Sequence, residues 1–321
     1  MNIIKKMIFW LNCARLYSLP ITILSWLVIF IFALKQGGKI IPGILALFGI
    51  SLVHLATNLV DDYFDYKILS KDEKYMNSAK SCKCFYLRNN NSTIKDLRNV
   101  IITFLSIATL IGVILFFLSG PSVLVLALIG LVIALSYPKL SKYGFGEIAV
   151  IVAFGPLLFE GIYYVMTKSF SYQVLILSFA CAMFTNTILY AHMLMDFDQD
   201  KCSHKTTLCL KLKTKENALN FIIIFYLVGY ILISYLAFIT HNFLYYLTFV
   251  TIPLVIDLYN SLRIYNEDKT ILPKVHFWNY PLDNWQEKKN SQSAPFYLRF
   301  FYARNIMTFF VALACIAIIL G

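Results

Sequence analysis

Long apolar runs alternate with short polar breaks along almost the whole chain. Windows of about 20 apolar residues fall at 17–34, 40–60, 99–118, 121–137, 146–166, 171–195, 217–240, 243–262 and 302–320. Each is long enough to cross a hydrocarbon core of about 30 Å, with 121–137 the marginal case. The breaks at Ser119-Gly120-Pro121 and around His241 are short, so neighbouring helices are expected to run antiparallel in one all-α integral membrane bundle of about nine transmembrane helices. No polar stretch is long enough for a separate soluble domain, so 1–321 is read as a single transmembrane domain. The first run has no small-residue cleavage site and further runs follow it, which reads as a retained helix. Ser92 or Thr93 is placed to cap the helix that enters the third run.

Composition agrees with that pattern. The chain is 59% hydrophobic and only 14% charged, whereas a soluble domain carries about a quarter charged residues. The lipid bilayer is therefore the expected surroundings of its surface. The net charge of +11 becomes informative when mapped onto the runs. With the N-terminus on one side, all of the 28 Lys and Arg except Lys35, Lys39 and Lys168 fall on that same side. This positive-inside asymmetry predicts a multi-pass cell-membrane protein with a cytoplasmic N-terminus, and it accounts for the basic excess without nucleic acid. The seven cysteines are scattered, and Cys82-x-Cys84 has no second pair to complete a zinc site, so they read as free thiols of a reducing compartment.

Chemistry concentrates at two acidic clusters. On the second helix, His54, Asn58, Asp62 and Asp65 follow one another at spacings that place them on one face, with Asp61 alongside. On the sixth, His192, Asp196 and Asp200 repeat every four residues, and Lys201 and Lys205 come next. Both clusters lie at the cytoplasmic end of their helices, where the macrodipole disfavours negative charge. Two carboxylates about 6 Å apart repel by roughly 3 kcal/mol at an effective dielectric near 20. Protonation, basic partners or bound cations must offset that cost. Oxygen-only clusters suit Mg²⁺, which takes one or two carboxylates and fills its other positions with water and phosphate oxygens. Two such clusters with lysines beyond them suit a diphosphate.

At these residues the sequence resembles the UbiA family of intramembrane prenyltransferases, which has nine transmembrane helices and two aspartate-rich motifs on the second and sixth. Asp61-Asp62-Tyr63-Phe64-Asp65 resembles the first motif and Asp196-Phe197-Asp198-Gln199-Asp200 the second. Within the family the chain is most similar to the branch that prenylates 1,4-dihydroxy-2-naphthoate for menaquinone. The similarity rests on Ala14-Arg15-Leu16-Tyr17-Ser18-Leu19-Pro20, on Asn58 to Tyr66, on Tyr143 to Glu147 with Phe154-Gly155-Pro156 and Gly161 to Val165, and on Asp196 to Leu208. From about 217 onward only the hydrophobic pattern and the pair Arg304-Asn305 match.

The resemblance implies Mg²⁺-dependent transfer of a polyprenyl group from polyprenyl diphosphate to an aromatic, quinone-precursor acceptor. It implies that Asp61, Asp62, Asp65, Asp196 and Asp200 hold metal, with Asn58 on metal and diphosphate and Lys201, Lys205 and His192 beside the substrate. Arg15 reads either as a positive-inside anchor or as a contact to diphosphate or acceptor carboxylate. Lys139 and Lys142, in the expected loop after Tyr137-Pro138, read either as interface lysines or as phosphate contacts. The chain departs from the family in four places: Asp61 replaces a usual Asn, His192, Met193 and Met195 replace an Asn-Asn and Arg, His204 replaces a Gly, and Ser70-Lys71-Asp72 replaces Gly-x-Asp. These departures leave other acceptors open, among them 4-hydroxybenzoate, homogentisate, haem and a lipid. Glu160 reads as an ionisable group midway along the fifth helix. The rival class is a cation-coupled transporter, which calls for broken helices with acids at mid-membrane depth.

Overall fold

The computed structural model describes residues 3–76, 84–202 and 206–321. A short helix, α1 (Ile3–Cys13), precedes the candidate spans. These are α2 (Leu19–Lys35), α3 (Ile40–Leu69), α4 (Ile94–Ser119), α5 (Ser122–Lys142), α6 (Gly146–Thr167), α7 (Tyr172–Met195), α8 (Lys215–Thr240), α9 (Phe243–Glu267) and α10 (Ala294–Leu320). Among the described residues, 9 helices are long and apolar enough to cross a membrane, so the expected count holds. The marginal run at 121–137 is a full span, because α5 continues helical through Pro138. That continuation corrects the expected loop: Lys139 is an exposed residue of the last turn of α5, and Lys142 closes the helix.

The antiparallel order is fixed by hydrogen bonds between helix termini at one end. At the end away from the N-terminus, Lys35 donates to the Ile318 carbonyl, Ser119 to the Val165 carbonyl, and the Lys39 N–H to the Met166 carbonyl. The last residues of α2, α4, α6 and α10 therefore lie together. It follows that the C-termini of α3, α5, α7 and α9 share the end that carries α1. Gly120 makes the α4–α5 turn at φ 109°, a conformation that a side chain would strain. Thr93 caps α4 with Asp96 in a reciprocal capping box.

The central helix is α7, 78% buried across its most apolar window, whereas α5 is 6% buried in its own and faces outward. α7 packs on α8, α10 and α6, and α3 packs on α4. Two of the described spans depart from α geometry: α9 begins as a 3-10 helix over Phe243–Thr251, and Ala153–Leu157 of α6 forms a π turn that is kinked, with Gly155 at φ −100° and ψ −110° before Pro156. A β-carbon at Gly155 would stand 2.9 Å from that of Ala182, so glycine is what lets α6 approach α7. The break carries no acid. Glu160 lies within the helical part of α6, past its midpoint, and its carboxylate accepts from the Ser171 N–H at 3.3 Å, so its side chain reaches toward the α6–α7 connection.

Candidate active site at one end of the bundle

The first cluster is assembled by three successive turns of α3 closing on the segment that joins α1 to α2. His54 meets Ser18 Oγ through Nε2 at 3.1 Å and Thr22 Oγ1 through Nδ1 at 2.6 Å. One turn on, Asn58 Nδ2 donates to the Ala14 carbonyl at 2.9 Å and to Ser18 Oγ at 3.3 Å. One turn further, Asp62 accepts from Arg15 Nη2 at 2.6 Å, and Asp61 lies 3.7 Å from the same nitrogen. The predicted stripe His54, Asn58, Asp62 is thus one working face. Asp65, the next position along α3, is half-buried. The helix runs on to Leu69, so the acids stand a turn or more before its end.

Asp62 is buried, at 3% exposure. Its second oxygen accepts from Tyr86 at 3.0 Å, and the Cys84 thiol reaches its backbone carbonyl at 3.3 Å. Phe9 and Trp10 of α1 meet the Tyr86 ring edge-on and steady it. Burial, and then the Asp62 charge, push the Tyr86 hydroxyl well above its ordinary pKa, so it stays a donor. For Arg15, burial works against the charge, but Asp62 and Asp61 outweigh it and raise the pKa further. Arg15 occupies the left-handed region, at φ 61° and ψ 52°, which costs a side-chain-bearing residue about 1–2 kcal/mol. Such a conformation persists only where its surroundings over-determine it.

The second cluster begins where α7 ends. Asp196 closes the helix at φ −90° and ψ 6°, and a short helix, Phe197–Cys202, follows. Backbone bonds from Asp196 to the His192 carbonyl and from Asp200 to the Asp196 carbonyl carry the four-residue repeat across the junction. His192 Nδ1 stands 3.2 Å from Asp196 Oδ2, Asp200 is buried, and Lys201 is exposed. Lys205 lies outside the described residues. Asp198, between the two acids of the motif, is held by Lys215 at 2.7 Å and Lys269 at 2.9 Å. These contacts tie the short helix to the start of α8 and the end of α9. The two lysines hold the Asp198 carboxyl below the usual aspartate range. Its contribution to stability is therefore full above that range and is lost as pH falls through the depressed value. The gap in melting temperature between wild type and Asp198→Asn is expected to be widest near neutral pH and to close on acidification below the ordinary aspartate range. A gap independent of pH would contradict the clamp.

The repulsion expected between the acids is thus met in part by basic partners: Arg15 on the first cluster, His192 and two lysines on the second. Among the described residues no three His, Cys, Asp or Glu side chains form a ready-made metal cage. An oxygen-rich set of this kind fits Mg²⁺ completed by phosphate oxygens better than a metal that needs a closed protein site.

Several residues of this end carry no advance signal in the sequence. Tyr86, Ser18 and Thr22 are ordinary loop and helix residues until the fold brings them to Asp62 and His54. Asp257 of α9 accepts through one oxygen from His276, Trp278 and Asn279 of the last loop. Asn305 donates to the Asn279 and Pro281 carbonyls, and Arg304 pairs with Asp283, so the Arg304-Asn305 pair anchors that loop to α10. The Trp278–Asn279 pattern alone carries no hint of this, since its partner lies 21 residues earlier in the chain.

The described residues form an all-helical membrane bundle with two acidic helix ends on one side. The model of the UbiA prenyltransferase family matches residues 24–280, and the chain belongs to that family: it is a prenyltransferase. It is 26% identical over 226 residues to 1,4-dihydroxy-2-naphthoate octaprenyltransferase of Haemophilus influenzae, a match covering 65% of this chain and 70% of that one. Its fold is similar to a digeranylgeranylglyceryl phosphate synthase structure, with a TM-score of 0.64, 15% identity and coverage of 98% and 99% of the two chains. It is also similar to an apo UbiA homologue from Aeropyrum pernix, with a TM-score of 0.63, 14% identity and coverage of 91% and 97%. A UbiA homologue from Archaeoglobus fulgidus bound to DMAPP and Mg²⁺ aligns with a TM-score of 0.54, 16% identity and coverage of 97% and 99%. The transporter alternative is set aside by the family match.

Proposed function

We propose that this prenyltransferase moves a polyprenyl group from polyprenyl diphosphate to 1,4-dihydroxy-2-naphthoate, with Mg²⁺, at the end of the bundle that carries the N-terminus, facing the cytoplasm. The observation that carries the proposal is the pair of acidic ends on α3 and α7, which share one side of the bundle and each keep a buried aspartate, Asp62 and Asp200. The choice of acceptor rests on the Haemophilus relative. The presence of Mg²⁺ beside a prenyl diphosphate in the Archaeoglobus homologue supports the metal.

In this reading Asp61, Asp62, Asp65, Asp196 and Asp200 would hold Mg²⁺, and Asn58 would border metal and diphosphate. The metal would supply neutralisation of charge on the departing diphosphate. Arg15 and Lys201 would add fixed positive charge around the same group, with Lys139 and His192 nearby; Lys205, outside the described residues, and Lys142, whose side chain is not described, are assigned to it from the sequence alone. The allylic carbon–oxygen bond breaks, diphosphate departs with the electron pair, and a ring carbon of the acceptor forms the new carbon–carbon bond. That carbon is the one bearing the carboxylate, which leaves as CO₂ and returns its bonding pair to the ring, so no oxidant is needed. The cytoplasmic orientation agrees with the positive-inside distribution of Lys and Arg.

The test is an acceptor panel offered to membranes containing the chain, with polyprenyl diphosphate and carboxyl-labelled 1,4-dihydroxy-2-naphthoate. Release of one labelled CO₂ per prenylated ring is expected. Prenylation of 4-hydroxybenzoate, homogentisate or a lipid, without turnover of the naphthoate, would move the protein to another branch.

A further inference from the structure

His54 lies two turns, about 12 Å, before Asp62 on α3, inside the span, and has no part in the roles given above. Its hydrogen bonds determine which ring nitrogen donates to Ser18, and the neutral imidazole satisfies all of them. Ser18 spends its one hydroxyl proton on the Arg15 carbonyl at 2.8 Å. Ser18 Oγ therefore accepts from its other two neighbours, Asn58 Nδ2 at 3.3 Å and His54 Nε2 at 3.1 Å. His54 carries its proton on Nε2, and Nδ1 is left to accept from Thr22 Oγ1 at 2.6 Å. Every polar group of the chain Thr22–His54–Ser18–Arg15 then has a consistent direction, in the neutral imidazole.

That chain acts on the backbone of one short turn. Asn58 holds the Ala14 carbonyl, Ser18 holds the Arg15 carbonyl, and His54 holds Ser18. Arg15 sits between those two tethered carbonyls in its left-handed conformation, with its guanidinium on Asp62 and near Asp61. Asn58 and Asp62 touch the turn directly, whereas His54 reaches Arg15 only through Ser18.

We propose that His54 is a positioning residue of the donor site: through Ser18 it holds the Ala14–Ser18 turn in the shape that delivers Arg15 to Asp62. This rests on the reading of Arg15 as part of the diphosphate-binding charge. Glutamine at 54 keeps an N–H for Ser18 and a carbonyl for Thr22, while leucine fills similar space with neither.

Two readouts separate the proposal from that reading. The first is the rate at which phenylglyoxal modifies Arg15 in the purified full-length protein, followed by peptide mass spectrometry. The second is KM for polyprenyl diphosphate against kcat. His54→Leu is expected to speed modification of Arg15 several-fold and to raise the donor KM about tenfold, in the range that outer-shell partners are worth, with a smaller change in kcat. His54→Gln is expected to restore both. Should His54→Leu fail to fold, Ser18→Ala and Thr22→Val interrupt the same chain and carry the same expectation. Unchanged modification of Arg15 in these variants, or no rescue by glutamine, would overturn the proposal. Faster modification with an unchanged donor KM would leave the positioning in place and remove Arg15 from the diphosphate site.

Discussion

Asp62→Ala is expected to lower prenyl transfer by about 10²–10³-fold, the loss that follows removal of one preorganised group facing charge developed in a transition state. Asp62 is the acid most enclosed by its surroundings in the first cluster, with Arg15 on one oxygen and Tyr86 on the other. Breaking a buried ion pair usually costs about 3–5 kcal/mol, because the remaining charge is stranded. Here the stability loss is expected below that range, since Arg15 is 29% exposed and keeps Asp61 at 3.7 Å. Activity and stability should therefore part company in this variant. Asp61→Asn gives the contrast: it leaves the Arg15–Asp62 pair in place and installs the asparagine usual in the family, whose amide oxygen can still face a cation, so it is expected to retain most activity. Activity assays beside thermal unfolding in detergent check both. Equal losses from Asp61→Asn and Asp62→Ala would mean that the charge at 61 matters as much as the buried carboxylate at 62.

The second large effect lies away from the acids. Arg299 of α10 is fully buried and donates to the Ser261, Pro295 and Ile271 carbonyls at 2.7, 2.7 and 3.2 Å, with its guanidinium over the Tyr265 ring. It joins α9, α10 and the start of the last loop at a single point. Arg299→Met keeps most of the volume but leaves three carbonyls without this donor. Hydrogen bonds to a charged group are worth about 1.5–3 kcal/mol each, and loss of the buried charge offsets part of their removal. A net destabilisation of about 2–4 kcal/mol is expected, measured as a fall in melting temperature. Arg299→Lys is expected to recover only part of it, because an ammonium cannot reach three carbonyls in the fork geometry of a guanidinium. A melting temperature unchanged in Arg299→Met would show that these contacts contribute nothing to stability.

The spans are legible in the sequence because lipid imposes a length of about 20 apolar residues on every crossing, independent of the partners a helix meets. The stripe His54, Asn58, Asp62 is legible for a similar reason: helical spacing alone puts those residues on one face. What occupies that face is not local information. Ser18 and Thr22 come from another helix, and Tyr86 from a loop 24 residues beyond Asp62. The expected cost of crowded carboxylates is real, yet the sequence does not say which offset answers it. Arg15, which reads there as either an anchor or a substrate contact, turns out to be the partner of Asp62. Lys139 and Lys142 are misplaced by proline, which marks a helix end in water more reliably than inside a bundle where α5 continues past Pro138. Glu160 stays within the span, as its place in the apolar run suggests, but the partner of its side chain, the Ser171 N–H beyond the helix end, is not local information. The last loop is the least legible part: the Arg304-Asn305 pair stands out in the sequence, but the loop carbonyls it holds, and the Asp257 carboxylate shared by three loop side chains, do not.

The central claim is that the two acidic ends act on a diphosphate through Mg²⁺. Its most direct test is prenyl transfer by membranes containing this chain, measured with polyprenyl diphosphate and 1,4-dihydroxy-2-naphthoate before EDTA, after EDTA, and after Mg²⁺ is returned in excess. Activity is expected to vanish on chelation and to come back with Mg²⁺ in the wild type but not in Asp62→Ala or Asp196→Ala. Transfer that continues in EDTA, or that survives both substitutions, would contradict it.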